Sequence, residues 1–380
     1  MDKAGPLCLG LLIAQGLLLF HFSLALAAAP QSTEWKAQWE RVVAQARQEG
    51  KITIYAGGPG AGGDRRKVYQ DHFEAAFPGI KVDYVPTPSG MADSRLLAER
   101  RAGKYIPDLY ISGVGSSTAA ILKAQGAYQS LRPALLLPEV LDESKWFEGR
   151  FWFADSEEKH ILMYSLASGT LIAINTKLVK PEEITSYKQL LDPKWRGKIV
   201  SHDVTGGGVG GSHIKFLYVS PHLGPGFLKK LYGEMDITLS RDPRQMIDWL
   251  AQGKHAILIF PGLNDVDSAR RVGLPVDVIP SQQMIEGYPL TPGSNTLVLL
   301  NPAPHPNAAK VFINWFLSRE GQTAFERVMA TPSLRLDTPT KEGLRSFLIP
   351  KAGTNYMIMV LEKYWHLDPE INQLLKSLRR

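Results

Sequence analysis

Cysteine is almost missing: among 380 residues only Cys8 is found, ahead of most of an apolar run. A chain processed after that run has no thiol, no disulfide and no cysteine-held metal. Its stability must come from a large core, which its length permits. Other absences narrow the chemistry. There is no P-loop, no H-E-x-x-H and no G-x-S-x-G, so patterned phosphate, zinc-peptidase and esterase mechanisms have no foothold. The histidines are scattered, and His202, His213 and His222 do not fit a helical ligand pair. Metal sites want spaced clusters, so each reads as a surface or packing residue. Nucleic-acid binders carry a basic stripe with interleaved aromatics. Here the densest basic cluster is Asp64-Arg65-Arg66-Lys67, and the net charge of +6 is interspersed; most of these charges read as solvated surface. No cofactor, no metal and no nucleic acid are expected.

What is present begins with "PLCLGLLIAQGLLLFHFSLALAAAPQS" after Met1-Asp2-Lys3. One basic residue, an apolar run and Ala25-Leu26-Ala27 form a secretory signal, with cleavage expected near Ala27 and residues 1–27 removed. The rival is an uncleaved anchor. The run approaches the ~20 residues that a membrane span needs, but Gln15, Gly16 and His21 interrupt it. Beyond it, 44% hydrophobic and 21% charged residues give an ordinary globular balance.

Helix and strand periods then alternate. Trp35, Trp39, Val42, Val43 and Ala46 share one helical face, and Gly50 ends it. "KITIYA" (51–56), "IKVDYV" (80–85) and "PDLYIS" (107–112) read as buried strands separated by helices. This βαβαβα order is that of a parallel, helix-covered sheet. An aromatic-rich stretch around Trp146, Trp152 and Phe153 reads as core by default, with a cleft wall as the alternative. The strand-like "LASGTLIAINTKLV" (166–179), a strand from Lys198, "HAILIF" (255–260), "PVDVIP" (275–280) and "NTLVLL" (295–300) follow. The stretch from His305 is helical with a break near Gly321, and the tail after Pro350 reads as helical.

Between the strands lie three glycine-rich loops, Gly57–Gly63, Gly113–Ser117 and Thr205–Ser212. In the last, five glycines occupy six positions, and Gly206, Gly208 and Gly211 satisfy G-x-G-x-x-G. A dinucleotide site also needs an acid about 20 residues on, at the end of a second strand. The next acid, Glu234, follows a helical stretch instead. The better reading is exposed backbone at the carboxyl ends of strands, where open α/β sheets bind ligands and N–H groups favour anions. Each loop alone reads equally well as a helix cap; Ser116 and Ser117 are natural N-caps. Three loops at one topological position favour a shared cleft. The candidate contacts are Gly58, Gly60, Gly113, Gly115, Ser116, Ser117, Asp203, Thr205, Gly206, Gly207 and Gly208. Asp203 is a ligand contact or a loop cap.

Several segments together resemble the periplasmic solute-binding components of ABC importers, in the type II, iron(III)/phosphonate/thiamine-like group. They are "PDLYISGVGSSTAAILKAQGA", "SGTLIAINTKLV", "SYKQLLDPKWRGKIVSHD" and "NPAPHPNAAKVFINWFLSREGQTAFE". The resemblance covers about 51–330. It implies a two-lobed α/β fold of the type II periplasmic-binding-protein class, with a ligand cleft between lobes. Lobe 1 would hold 48–160 and 275–350, lobe 2 170–270, and 351–380 a helical tail. It also implies no enzymatic activity, a small-molecule solute, an ABC permease as partner, a periplasmic location and a monomer. Ferric binders of the group use neighbouring tyrosines in the second lobe. The matching stretch here, "AILIFPGLNDVD", has Phe260 and Asn264 and no tyrosine, and the chain has no Tyr-Tyr pair. Hard Fe(III) wants anionic oxygen, so a small organic anion is favoured, with Asn264 and Asp265 added as contacts. Arg65 and Arg66 beside the first loop support the anion. The alternatives are a ferric receptor, a periplasmic sensor subunit and a secreted enzyme on the same fold.

Overall fold

The computed structural model describes residues 31–57, 64–87, 91–113, 117–206, 210–339 and 344–378. The signal segment 1–27 lies outside them, as do Gly58, Gly60, Gly115, Ser116, Gly207 and Gly208. In chain order the strands are β1 (Lys51–Gly57), β2 (Lys81–Thr87), β3 (Leu109–Ser112), β4 (Trp152–Phe153), β5 (Ile161–Met163), β6 (Ala167–Ser168) and β7 (Ile172–Asn175). There follow β8 (Ile199–His202), β9 (Thr238–Ser240), β10 (Ile257–Ile259), β11 (Val276–Ile279), β12 (Tyr288–Thr291), β13 (Thr296–Leu299) and β14 (Tyr356–Ile358).

They form two main sheets, ordered β2-β1-β3-β13-β5-β4 and β11-β7-β10-β8-β9. Each contains the same unit. β1 lies parallel between β2 and β3, and an antiparallel strand, β13, follows β3. β8 lies parallel between β9 and β10, and antiparallel β7 follows β10. The type II two-lobed fold is thus present. β6, β12 and β14 make a third, three-stranded sheet, with β12 antiparallel to β6 and parallel to β14. The chain leaves the first sheet through β6 and returns through β12.

Burial explains why the strands read as continuous apolar runs. In the second sheet Ile199, Ile257 and Ile259 join one hydrophobic cluster, while Val200 and Leu258 join another on the opposite face. Both faces are covered by helices, so alternation with polar residues disappears. In the first lobe the helix Pro306–Leu317 is buried from Val311 through Leu317, with Phe312 and Phe316 packed on Tyr69. The N-terminal helix Gln31–Glu49 lies beside it. Val42, Val43 and Ala46 are buried as their spacing implies. The Glu49 carboxylate accepts the backbone N–H groups of Asn307 and Ala308, satisfying orphan donors at the start of the next helix.

Three expectations need correction. A lobe boundary at 275 puts Val276–Ile279 in lobe 1, but β11 pairs antiparallel with β7 in the second sheet. The helical break lies at Ser318, whose Oγ accepts the N–H of Gly321 at 3.2 Å, so Gly321 belongs to the first turn of the second helix, Arg319–Met329. The core reading of the aromatic stretch holds at Trp146 and Phe153, and the stretch supplies β4, which pairs antiparallel with β5 in the first sheet. The tail is not all helix: it adds β14 to the crossing sheet before its helix Leu367–Ser377 packs on the second lobe.

Candidate functional site

The parallel strands of both lobes end at loops that feed helices, and those ends meet the crossing segments. In the first lobe Gly57 and Thr87 are register partners at the ends of β1 and β2. Ser112, at the end of β3, pairs with Thr296, whose Oγ1 donates to the Ser112 carbonyl at 2.6 Å. Gly113 follows, so close to the turn after β12 that an added Cβ would lie 2.8 Å from the Gly293 carbonyl oxygen. Ser117 opens the helix Ser117–Ala124. Only glycine allows that approach.

In the second lobe the helix Gly211–Val219 starts after the third glycine loop. His213 in its first turn packs on Phe260 at the end of β10, with ring centroids 5.9 Å apart. Its Nε2 lies over Gly169, where a Cβ would collide with it. Gly169 belongs to the first crossing segment, and its N–H donates to the Pro289 carbonyl of the second at 2.9 Å. The two lobes therefore converge on one crossing sheet, at the carboxyl ends of their parallel strands. This is the place where open α/β sheets hold ligands.

The sequence reads His213 as a surface or packing residue. Both its ring nitrogens are buried without a hydrogen-bond partner among the described residues. Burial alone lowers its pKa to about 4, so the imidazole is neutral near pH 7. The residue as a whole is half-buried while its nitrogens are covered. Ser168 Oγ, next to Gly169, is likewise buried and unpartnered. Unsatisfied buried polar atoms call for an explanation. The only sequence signal was His213 falling in the turn after a glycine loop.

The remaining candidates divide. Asp203 acts as a loop cap: Oδ1 accepts the N–H and hydroxyl of Thr205 at 3.1 and 2.7 Å, and Oδ2 accepts Arg241 Nε at 3.1 Å. Asp203 and Thr205 also line a cavity of about 530 Å3 with Arg196, His202, Tyr232 and Leu375, beside the C-terminal helix. That cavity is not lined by Gly169, Gly293 or His213. Gly206 ends the short turn Val204–Gly206. Asn264 and Asp265 stand exposed in the first turn of the helix Leu263–Arg271. The Asp265 carboxyl folds over Gly262, and partial desolvation raises its pKa. Among the described residues no group of three His, Cys, Asp or Glu is placed to hold a metal, and no helix is long and apolar enough to cross a membrane.

Comparison with known proteins gives the same architecture. A structure of the Trichodesmium protein IdiA (FutA) with iron and citrate ligands superposes with a TM-score of 0.66 at 18% identity, covering 87% of this chain and 99% of that one. A putative extracellular solute-binding protein from Bordetella parapertussis gives 0.67 at 15% identity, covering 88% and 100%. AfuA from Actinobacillus pleuropneumoniae, a periplasmic binding protein with fructose-6-phosphate bound, gives 0.60 at 16%, covering 87% and 97%. In sequence, Iron uptake protein A1 of Synechocystis sp. is 27% identical over 125 residues. That alignment spans about a third of each chain, 33% of this one and 31% of the relative. The profile of the bacterial extracellular solute-binding proteins matches residues 55–323. The chain thus belongs to the bacterial extracellular solute-binding protein family, a family of periplasmic, non-catalytic receptors.

Proposed function

We propose that this protein captures a small solute between its lobes and delivers it to an ABC permease, acting as a monomer in the periplasm. One observation carries the reading: the strand ends of both lobes meet the crossing sheet, and His213 and Ser168 present unsatisfied polar atoms there. A solute seated at that junction touches both lobes, so binding energy favours their closed arrangement. The glycine loops, including Gly113 and Gly206, offer backbone N–H groups for an organic anion. The exposed Asn264 and Asp265 add polar contacts at the rim.

A second reading has its own support. Iron uptake protein A1 and the iron–citrate structure favour a ferric receptor. Against it stand Phe260 and Asn264 in the stretch where anionic oxygen ligands would be needed. Native mass spectrometry of the protein as isolated, followed by thermal melting with citrate, phosphate, ferric citrate and glucose, separates the two. A ligand at a hundred times its dissociation constant stabilises the fold by ~2.7 kcal/mol. Citrate or phosphate shifting the melt without iron supports the organic anion. A shift that appears only when iron is added establishes the ferric reading instead.

A further inference from the structure

Arg65 lies in the first turn of the helical segment Asp64–Arg66, and it is almost wholly enclosed, at 3% exposure. Arginine is rarely buried unless it is paired. Here Nη1 donates to the Ser294 carbonyl at 3.2 Å and Nη2 to Asn295 Oδ1 at 3.1 Å, both neutral acceptors. Nε is buried with no partner. No carboxylate among the described residues pairs with this guanidinium. Its neighbour Asp64 is exposed and bonded to Lys67 at 3.1 Å. The chain segments 58–63, 88–90 and 114–116 contain no Asp or Glu. The nearby phenols do not supply the charge either. Tyr69 and Tyr164 bond to each other at 3.2 Å. Burial pushes the Tyr69 pKa well up and that of Tyr164 to about 12, so both stay neutral. A buried cation without a counter-charge carries a large desolvation penalty.

Its place in the fold suggests what offsets that penalty. Ser294 and Asn295 immediately precede Thr296, the register partner of Ser112 at the end of β3. Arg65 is therefore fastened to the rim where β1, β2 and β3 end. On the same rim Thr87 Oγ1 is also buried and unpartnered.

We propose that Arg65, with Thr87, forms the position in the first lobe that receives a carboxylate or phosphate oxygen of the solute. The guanidinium supplies the counter-charge and a free N–H, and the hydroxyl supplies a second donor. Hydrogen bonds of this kind are short and strong when the acceptor is an oxyanion. The proposal rests on the inter-lobe solute site, and it narrows that site to anions.

Thermal melting and calorimetry of the purified chain with citrate, phosphate and glucose test it, in wild type and in Arg65→Met, Arg65→Lys and Thr87→Val. Citrate or phosphate should raise the wild-type melting temperature and glucose should not. Arg65→Met should melt cooperatively, with no fall in its unliganded midpoint, because it removes a desolvated charge. Its anion affinity should drop by about tenfold to a hundredfold. Arg65→Lys keeps the charge and loses the fork, so its anion response should be reduced but present, and Thr87→Val should lose part of the response. An Arg65→Met chain that answers citrate or phosphate as wild type does makes Arg65 a clamp on the Ser294–Asn295 turn and overturns the proposal. Should Arg65→Met fail to fold, an unaltered response in Arg65→Lys overturns it in the same way. A wild-type chain that answers glucose, or none of the three, also overturns the anion position. Binding of some other solute seen by native mass spectrometry would then leave the receptor reading standing.

Discussion

A neutral histidine with two orphan nitrogens has a measurable signature. His213 has a pKa near 4 in the folded protein against 6.5 for the free side chain. The unfolded chain therefore binds more protons between those values. Stability contributed by this residue is full above pH 6.5, falls as the pH drops through the window, and levels off below pH 4. The difference amounts to at most about 3 kcal/mol. His202 and His255 are also pushed down by burial and act in the same direction. His213→Phe should consequently flatten, not abolish, the decline of melting temperature with acid. Superimposable pH profiles for the two proteins would sink this account. The sequence placed His213 after a glycine loop but could not show that its ring is roofed by Gly169. That contact joins residues far apart in the chain.

Among the elements, the helix Pro306–Leu317 depends on one polar residue in an apolar shell. Asn314 is fully buried. Its Oδ1 accepts the N–H groups of Leu136 and Leu137 at 2.7 and 3.0 Å, and its Nδ2 donates to the carbonyls of Ala134 and Lys310, each at 2.8 Å. Asn314→Ala would leave two backbone donors and a carbonyl of another segment unsatisfied. Urea unfolding should report a loss of about 2–4 kcal/mol. A loss under ~1 kcal/mol would mean that water replaces the amide. Helices such as this one were legible because their apolar period persists over many residues. The strands β9, β12 and β14 were not, since runs of three or four residues carry too few periods. β12 also contains Pro289, which argues against a strand in sequence. It is nevertheless the central, buried strand of the crossing sheet, flanked by β14 and β6.

At the scale of the molecule the three-stranded crossing sheet separates two lobes with independent cores. A solute bridging them should shift an open–closed equilibrium. Small-angle scattering at saturating ligand should give a smaller radius of gyration than the unliganded protein, and an unchanged radius at saturation would argue against closure.

The sequence by itself determined the class of fold. Apolar strand runs, helical faces and glycine loops at strand ends are local patterns, and each is set by burial on both sides of a sheet or on one side of a helix. It also marked the strand ends at Gly57, Gly113 and Thr205 from which the glycine-rich stretches leave. What only the tertiary structure decided is how the candidate side chains are engaged. Asp203 turned inward as a cap, Asn264 and Asp265 stand at a helix start in solvent, and Arg65 lost its solvent to the Ser294–Asn295 turn. Whether a polar atom is satisfied or left waiting depends on partners brought from distant parts of the chain, and no local period records them.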